Sequence, residues 1–477
     1  MFSRILRHEW RLLSGDATLW LVTAVCAAAI GYGVWNGARW VRFQQQAIAD
    51  ASAEQAKRYD ALQTQITALR QPGASVSPFA DPRNPSSLGG RLGPKYATLP
   101  PAPLAALAIG QSDLLPYYFK VSTDARENIV STTEIENPNR LLAGRFDLAF
   151  VIIFFLPLLI LALTYNMVSA EQEQGTLALV LSQPVGTGTL VRGKVAVRAT
   201  VLVGVLVVLA GAALLITGVN LTAAGAVPRL LMWIVAVTAY AAFWFGLAVC
   251  VSSLGQSSTA NATILATTWL ALVVVAPSLF NLIATSFYPV PSRVEMVQAV
   301  REASDEANKE GSKLLARYYE DHPELATGDA AQAMTDFNVV RVAVNDDVEN
   351  RVRPVVQRYE RQIAAQQQTL DRLRFFSPAI LMQSALNDVA GSGVDRHRHF
   401  ISQLDAFHAQ WRAHFVPLIF AKARVTSLDT LPSFTFVEES TAVLWGRVGT
   451  GVMALLLPSL ALAWFGFRRL RRYPVAG

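Results

Sequence analysis

Residues 230–292 read LLMWIVAVTAYAAFWFGLAVCVSSLGQSSTANATILATTWLALVVVAPSLFNLIATSFYPVPS. No Asp, Glu, Lys or Arg occurs in this stretch, which lies between Arg229 and Arg293. About 20 apolar residues cross a bilayer as one helix, so the stretch predicts two crossings, at Leu230–Val251 and Thr259–Phe287. The small polar run between them is typical of a turn. The sequence therefore predicts a polytopic membrane protein.

Four further apolar segments bring the number of predicted spans to six. The composition agrees, because 52% of the residues are hydrophobic and only 16% are charged, far from the average soluble protein. The predicted fold class is an all-α polytopic membrane protein with a mainly α-helical extracytoplasmic domain. The predicted segments are an interfacial helix (1–16), span one (17–38), a first extracytoplasmic insertion (39–146), span two (147–168), a cytoplasmic loop (169–198), spans three to five (199–287), a second insertion (288–441), span six (442–467) and a basic cytoplasmic tail (468–477).

The short basic flanks of the spans predict the orientation. Arginines and lysines collect before span one, between spans two and three and after span six, and such residues favour the cytoplasmic face. We therefore expect a multi-pass membrane protein with both termini in the cytoplasm. The first residues alternate apolar and basic side chains at helical spacing, which is typical of a helix lying on the membrane surface. Cleavage of a signal peptide at Ala27-Ala28-Ala29 is the alternative, although the apolar run continues beyond it.

The two insertions predict one extracytoplasmic domain. Gln44–Arg70 has apolar residues at helical spacing and should extend span one, whereas the eight prolines between Pro72 and Pro103 favour an extended connector. The second insertion is helical in pattern, and its run Val356–Leu373 is a candidate to pair with Gln44–Arg70. Within the spans, Pro157, Pro277 and Pro458 should kink their helices.

The loop between spans two and three holds the most informative short motif. It reads SAEQEQGTLALVLSQPV over residues 169–185. Acidic residues at its beginning, an amphipathic turn and a proline at its end predict a short helix at the membrane surface. Acidic residues gain little from anionic lipid, so Glu171 and Glu173 would suit a protein partner. Equally, acids are favoured in the first turn of any solvated helix. The residues alone leave both interpretations open.

This loop resembles the signature loop of permeases of the type-two exporter class of ABC transporters. The resemblance lies in Glu171, Gly175-Thr176-Leu177, the run from Leu181 to Val185 and Gly193-Lys194. Large insertions after spans one and five look like a bacterial subgroup with an extended periplasmic portion, as do Pro116-Tyr117-Tyr118, Glu136-Asn137-Pro138 and Gly144-Arg145-Phe146-Asp147. The resemblance implies a permease dimer, with a second copy or a paralogue, driven by a separate ABC ATPase subunit. It places the protein in the bacterial inner membrane, with Glu171, Gly175, Thr176 and Pro184 at the ATPase contact. The predicted ATPase-coupling site also includes Glu173 and Leu177.

Other functions find little support. Gly188–Val195 has the glycine and lysine spacing of a phosphate-binding loop, but Val195 lacks the hydroxyl that binds magnesium, and no strand precedes the loop. We therefore expect no cofactor on this chain, with ATP and magnesium bound by the partner. The middle of every span lacks ionisable residues, which argues against an ion-coupled transporter. Asn261 and Asn281 are expected to stitch helices together.

No enzyme site or nucleic-acid site is expected either. The net charge of +6 follows from the basic flanks of the spans, and Cys26 and Cys250 both lie in apolar runs. The only histidine cluster contains His397 and His399, with His408 and His414 nearby, and is expected to be a solvated basic surface rather than a metal site. No G-x-S-x-G elbow of a hydrolase occurs.

Two functions remain in view. The leading hypothesis is a permease subunit that exports a substrate when its ATPase partner binds ATP. The alternative is a machine of the same architecture that transmits ATP-driven motion through the outer domain to a periplasmic partner. A polar seam along spans two and five would favour transport, and charges clustered at one helix tip of the outer domain would favour transmission.

Overall fold

The computed structural model describes residues 2–15, 17–71, 76–77, 79–126, 129, 146–183, 186–289, 293–322, 325 and 336–472. Helices dominate these residues, and the two short strands form one antiparallel pair. Pro184 and the motif at Glu136 lie outside the described residues. The predicted all-α class is confirmed.

The helices and strands follow in chain order. They are α1 (Phe2–Ser14), α2 (Ala17–Ala68), α3 (Pro85–Ser87), a π turn (Leu88–Leu92), β1 (Lys95–Thr98), a 3₁₀ turn (Ala105–Leu107), β2 (Tyr118–Val121), α4 (Leu148–Phe150), a π turn (Val151–Phe155), α5 (Leu156–Thr164), α6 (Ser169–Glu173), α7 (Leu177–Leu181), α8 (Thr187–Ile216), α9 (Ala226–Ser252), α10 (Ser258–Trp269), a π turn (Leu270–Val275), α11 (Ala276–Phe287), α12 (Arg293–Glu310), α13 (Ser312–Asp321), α14 (Phe337–Leu373), a 3₁₀ turn (Arg374–Phe376), α15 (Pro378–Ala390), α16 (Val394–Phe420) and α17 (Thr441–Leu470).

Six of the described helical segments are long and apolar enough to cross a membrane. They are the first half of α2, the segment from α4 to α6, α8, α9, the segment from α10 to α11, and α17. This confirms the six predicted spans. The fourth span, α9, lies at the centre, where Trp233, Tyr240 and Trp244 are almost completely buried, and it packs along α17, α15 and α5.

Two helices are longer than hydropathy alone indicates. α2 continues to Ala68, which confirms that Gln44–Arg70 extends span one, and at 1.5 Å per residue it is about 78 Å long. α8 begins at Thr187, so the basic residues Arg192, Lys194 and Arg198 belong to the third span helix. Hydropathy marks only the part of a helix that lies in lipid.

The prolines of the second and fifth spans coincide with irregular helix. A π turn ends just before the segment that contains Pro157, and another directly precedes the segment that contains Pro277. A proline has no N–H, and its ring crowds the carbonyl four residues earlier, so a wider turn relieves that contact. Pro458 lies inside the continuous helix α17.

The insertion domain comprises α2 beyond Trp40, the described residues of 69–126, and residues 293–440. Its core is centred on Phe400, Trp411 and Phe415 of α16, each fully buried. β1 and β2 pair in antiparallel register, with Lys95 opposite Val121, and Phe119 and Val121 face the same core. Both insertions therefore contribute to one domain.

An extended connector was predicted between Pro72 and Pro103, and this prediction is wrong for the described residues from 84 onward. This segment folds into α3, a π turn and β1, and Leu88 is fully buried. Gly89 allows the fold, because a Cβ there would lie 2.7 Å from the ring of Phe415, and its carbonyl accepts a hydrogen bond from Trp411 Nε1 at 2.9 Å. Here the glycines serve close packing, which a count of turn residues cannot distinguish from a flexible linker.

The candidate pairing of Val356–Leu373 with Gln44–Arg70 is also not the main contact that forms. α14 packs chiefly against α12 and α13 and touches the end of the fifth span. Its valines, from Val339 to Val356, face the apolar residues of α12 and α13 in the shared core. The buried valine stripe, rather than the glutamine-rich C-terminal half, determines where α14 packs.

The histidine cluster is not the solvated surface that the sequence predicted. His408 is 6% exposed, and its Nε2 lies 2.9 Å from the carbonyl oxygen of Asp124. His397 Nε2 lies 3.0 Å from the carbonyl oxygen of Pro116, and Arg396 is buried. The α16 helix turns this polar stripe towards β2 and its neighbouring loops, where backbone carbonyls accept the bonds. Among the described residues no cluster has the composition of a metal site.

A network of charges joins the insertion domain to the spans. Arg229 at the start of α9 donates to the carbonyl oxygens of Asp388 and Val389 and lies 3.5 Å from Glu438. Arg447 near the start of α17 bonds Glu439 and lies 3.6 Å from Asp388. The members of this charged junction are Arg229, Asp388, Arg396, Glu438, Glu439 and Arg447. The junction fastens the insertion domain to the fourth and sixth spans.

Candidate functional site

The segment that follows the second span forms a compact helix–turn–helix. α6 ends at Glu173, and α7 begins four residues later at Leu177. Gly175 makes the turn with a φ of +69°, a left-handed conformation that costs a side chain about 1–2 kcal/mol. The N–H of Thr176 donates to the carbonyl oxygen of Glu171 at 2.9 Å and closes the turn. The motif therefore adopts one defined shape, the loop segment (Ser169–Leu181).

Glu171 binds the loop segment to the third span. Lys194 Nζ lies 2.6 Å from Glu171 Oε1, and it also donates to the carbonyl oxygen of Met167 at 2.9 Å. The lysine and glutamate side chains are 7% and 23% exposed respectively. A buried pair of this kind is costly to break, because the remaining charge is left without a partner. Glu171 therefore faces its own chain, and not a partner, in this conformation.

Glu173 binds the same segment to the fifth span. Its Oε1 accepts the backbone N–H of Ser258 at 2.6 Å, and its Oε2 accepts the hydroxyl of Ser258 at 2.9 Å. Ser258 is the first residue of α10, where a carboxylate is stabilised by free N–H groups and by the helix dipole. The hydroxyls of Ser169 and Ser258 lie 2.8 Å apart. The loop segment is thus attached to two spans at once.

The remaining predicted residues divide between an inner and an outer face. Leu177 is 1% exposed and packs in a small cluster with Met167, Val191, Val249 and Leu470, so it anchors the segment. Gly175 and Thr176 lie on the exposed face. Leu179, which sequence reasoning missed, is 74% exposed. An exposed leucine within a predicted amphipathic turn was the signal that could have identified it.

A further buried charge lies behind the loop segment. Arg198, one helical turn beyond Lys194, has its guanidinium 4.0 Å from the carboxylate of Glu9 in α1, and Glu9 is 4% exposed. Arg198 Nε and Nη1, like Glu171 Oε2, are buried and have no hydrogen-bond partner among the described residues. The Glu9–Arg198 pair was missed because it joins α1 to α8, far apart in the sequence.

The helical context rules out the phosphate-loop geometry. Residues 188–195 lie within α8, and the Lys194 ammonium is bound by Glu171 and Met167. A phosphate-binding loop requires its backbone N–H groups to be free and to follow a strand. The motif at Gly188 is therefore part of a membrane helix.

The fifth span has a polar outward face. Thr259, Thr263, Thr267, Ser278, Asn281 and Thr285 are all exposed, at spacings that keep them on one side of the helix. Asn261 donates to Ser169 Oγ at 3.5 Å, which agrees with its expected stitching role. Asn281 forms no side-chain hydrogen bond within the described residues and lies on the outward face, so its expected role in joining helices stays a prediction.

The region that contains the loop segment matches a known protein family. Residues 117–286, which include the second to fifth spans, match the model of the ABC-2 family transporter protein. This match supports the ABC-2 permease class. Residues 293–437, most of the second insertion, match a domain of unknown function, DUF3526. No curated protein matches the chain.

The permease class agrees with the geometry of the site. The match supports a multi-pass membrane subunit of an ABC transporter rather than an enzyme. The loop segment holds one acidic side chain against a lysine and the other against a helix start, and its outer face carries Leu179 and Thr176. Such an arrangement can transmit a displacement to two membrane helices.

Proposed function

We propose that this permease is the membrane subunit of an ATP-driven exporter in the bacterial inner membrane, acting as a dimer with separate ABC ATPase subunits. The observation that supports the proposal most strongly is the double attachment of the loop segment. An ATPase that pushes on this segment would move α8 through the Glu171–Lys194 pair and α10 through the Glu173–Ser258 bonds. ATP and magnesium would be bound by the partner.

The residues of the loop segment divide into two roles. Thr176 and Leu179 would contact the ATPase, because they lie on the exposed face. Glu171, Glu173 and Leu177 would transmit the movement, because each is bound to a membrane helix or its start. Pro184 lies outside the described residues, so its place in the coupling site stays a prediction.

Affinity purification in mild detergent tests the partner. We expect the tagged chain to co-elute with a stoichiometric ATPase, and Leu179→Asp to abolish co-elution. Gln256→Asp is the matched control, because it adds the same charge to an exposed position in the neighbouring turn between α9 and α10. Loss of co-elution in both variants, or in neither, would contradict the assignment of the contact to the loop segment.

A charge exchange tests the transmission role. Glu171→Lys should disrupt the segment, because it places two cations together in a buried site. The double variant Glu171→Lys/Lys194→Glu should restore both ATPase association and coupled ATP hydrolysis. If the double variant is as defective as the single one while both remain folded, Glu171 acts on the partner directly and does not transmit movement through Lys194.

The polar face of the fifth span supports a dimer whose interface contains the substrate path. The hydroxyls of Thr263, Ser278 and Thr285 donate to carbonyl oxygens of their own helix, but the Asn281 amide forms no hydrogen bond within the described residues. An amide that faces hydrocarbon without a partner is unfavourable, and a second copy or a water-filled path would satisfy it. In a background without Cys26 and Cys250, Thr263→Cys and Asn281→Cys should form disulfide-linked dimers on mild oxidation. Leu457→Cys, exposed on the sixth span, is the control and should not.

The charged junction supports the alternative function. It connects the insertion domain to the starts of α9 and α17 through ion pairs, so a movement of the spans would reach that domain and a periplasmic partner bound to it. Transport and transmission differ in one measurement. Reconstituted exporter should move substrate across the vesicle membrane during ATP hydrolysis, whereas a transmitter should hydrolyse ATP and change the conformation of the insertion domain without any flux.

A further inference from the structure

A groove of about 260 Å³ opens between the third, fourth and sixth spans. Its walls are apolar or small, and α8 contributes Val195, Ala199 and Val203. We propose that this groove binds one acyl chain of an anionic phospholipid, whose phosphate is held by Arg192 and Arg468 at its mouth. The inference rests on the membrane spans and does not depend on what the permease transports.

The groove exists because two of the three helices lie very close together. Gly246 of α9 touches the sixth span so closely that a Cβ would lie 2.9 Å from the carbonyl oxygen of Ser459. The facing positions on α17 include Ala463, and those on α9 include Ala241 and Ala242. Small side chains on α9 and α17 leave a channel that α8 does not fill. In a bilayer such a channel is occupied by hydrocarbon, because water has few polar partners there.

The mouth of the groove is basic. Phe467 lies at this end, and the guanidinium of Arg192 lies over its ring, with 5.7 Å from Cζ to the ring centroid. Arg468 lies over Trp464 at 5.3 Å. Both arginines are exposed, and neither forms an ion pair with a residue in the part of the chain that the structure describes. Arg192 therefore contacts a residue that lines the groove, and Arg468 is the next residue along α17 after Phe467. Two guanidinium groups beside one end of an apolar channel match a phosphate whose acyl chain lies in that channel.

Charge also argues against a second copy of the chain in the groove. A symmetric dimer through this face would bring two sets of arginines together, since the same patch is used by both copies. The stacking of each arginine on an aromatic ring keeps the cations at the level of the headgroups, where anionic lipid attracts basic residues. The favoured occupant is therefore a single lipid with a negative headgroup.

Native mass spectrometry of the detergent-purified full chain provides the test. Phosphatidylglycerol and phosphatidylcholine with identical acyl chains are titrated separately, and the first bound lipid is quantified. We expect wild type to bind phosphatidylglycerol at least about tenfold more tightly than phosphatidylcholine, which corresponds to about 1.4 kcal/mol of binding free energy. Arg192→Gln/Arg468→Gln should remove this preference while leaving binding of phosphatidylcholine unchanged.

Matched controls separate the site from general effects of charge and size. Arg39→Gln/Arg42→Gln removes two arginines near the opposite ends of these helices, where Arg42 lies beside the end of α8, and should keep the preference. Ala463→Phe should fill the groove and weaken both lipids, whereas Leu457→Phe, on the other side of α17, should not. The proposal would be overturned if wild type bound the two lipids with equal affinity, or if lipid bound only to a dimer of the chain.

Discussion

The two ends of the helix bundle are both tied by charges, but in different ways. At the loop segment one buried lysine, Lys194, meets one carboxylate, Glu171. At the charged junction three arginines share three carboxylates and several backbone carbonyls. The loop segment is also held by the Glu173–Ser258 hydrogen bonds, but its buried charges depend on this single ion pair, whereas the junction distributes its charges over a network. The loop end should therefore be much more sensitive to one substitution.

The largest effect is expected for Lys194→Met. Removing one partner of a buried pair costs about 3–5 kcal/mol, because Glu171 would keep its charge in a site with little water. Hydrogen exchange should report the loss as faster opening of the loop segment, with the insertion domain unchanged. The double variant Lys194→Met/Glu171→Gln removes both charges and should recover most of the protection. If it does not, the effect comes from packing and not from the pair.

A smaller effect is expected for Arg447→Gln at the charged junction. Glu439 and Asp388 both lose a cation, yet Arg229 remains nearby, and burial already raises the pKa of Asp388 to about 6. Asp388 can therefore take up a proton near neutral pH. This limits the loss of stability at the junction to about 1–3 kcal/mol. The measurement is hydrogen exchange in α15.

Arg398→Gln is the matched control for the junction. Its partner is Asp395, and the two side chains are 57% and 45% exposed, so solvent screens the pair and its contribution is about 0–1 kcal/mol. An effect of Arg447→Gln as large as that of Lys194→Met would remove the contrast between the two ends.

Gly175→Ala tests the turn of the loop segment without touching its charges. A Cβ at Gly175 would meet no atom within 4 Å, so only the left-handed φ should matter, at about 1–2 kcal/mol. Gly186→Ala is the control, because its Cβ also meets no atom and its φ is −77°. Faster exchange in the loop segment for Gly175→Ala alone would confirm that the turn holds α6 and α7 in place.

The smallest effect concerns pH and should appear only in the insertion domain. Burial lowers the pKa of His408 and of His397 below the ordinary histidine value. The unfolded chain therefore binds protons near pH 6.5 that the folded domain does not, and stability is lost as the pH falls below 6.5, by at most about 1.4 kcal/mol per pH unit for each histidine.

His408→Gln isolates the contribution of one histidine. The amide can still donate to the carbonyl of Asp124 but does not titrate, so the dependence of exchange in α16 on pH should become shallower. The loop segment contains no histidine and serves as the internal control. A pH dependence that is unchanged in His408→Gln would show that other groups cause it.

Sequence predicted the parts of this protein that depend on one helix at a time. The six spans, the continuation of α2 to Ala68 and the helical second insertion follow from hydropathy and periodicity. The loop motif was found from its residues and from a family resemblance. It was not possible to predict that Glu171 meets Lys194, or that His408 is buried and His397 lies against the carbonyl oxygen of Pro116, because each contact joins residues from different elements.

The sequence by itself therefore determined the membrane class, the number of spans and the position of the loop segment, since the length and polarity of a local stretch decide whether it enters lipid. Only the tertiary structure decided which face of that segment is turned outward, which spans it holds, and how Gly89 and Phe415 build the core of the insertion domain. Hydropathy is a property of neighbours along the chain. Ion pairs and close packing belong to neighbours in space, and those are fixed only when the helices assemble.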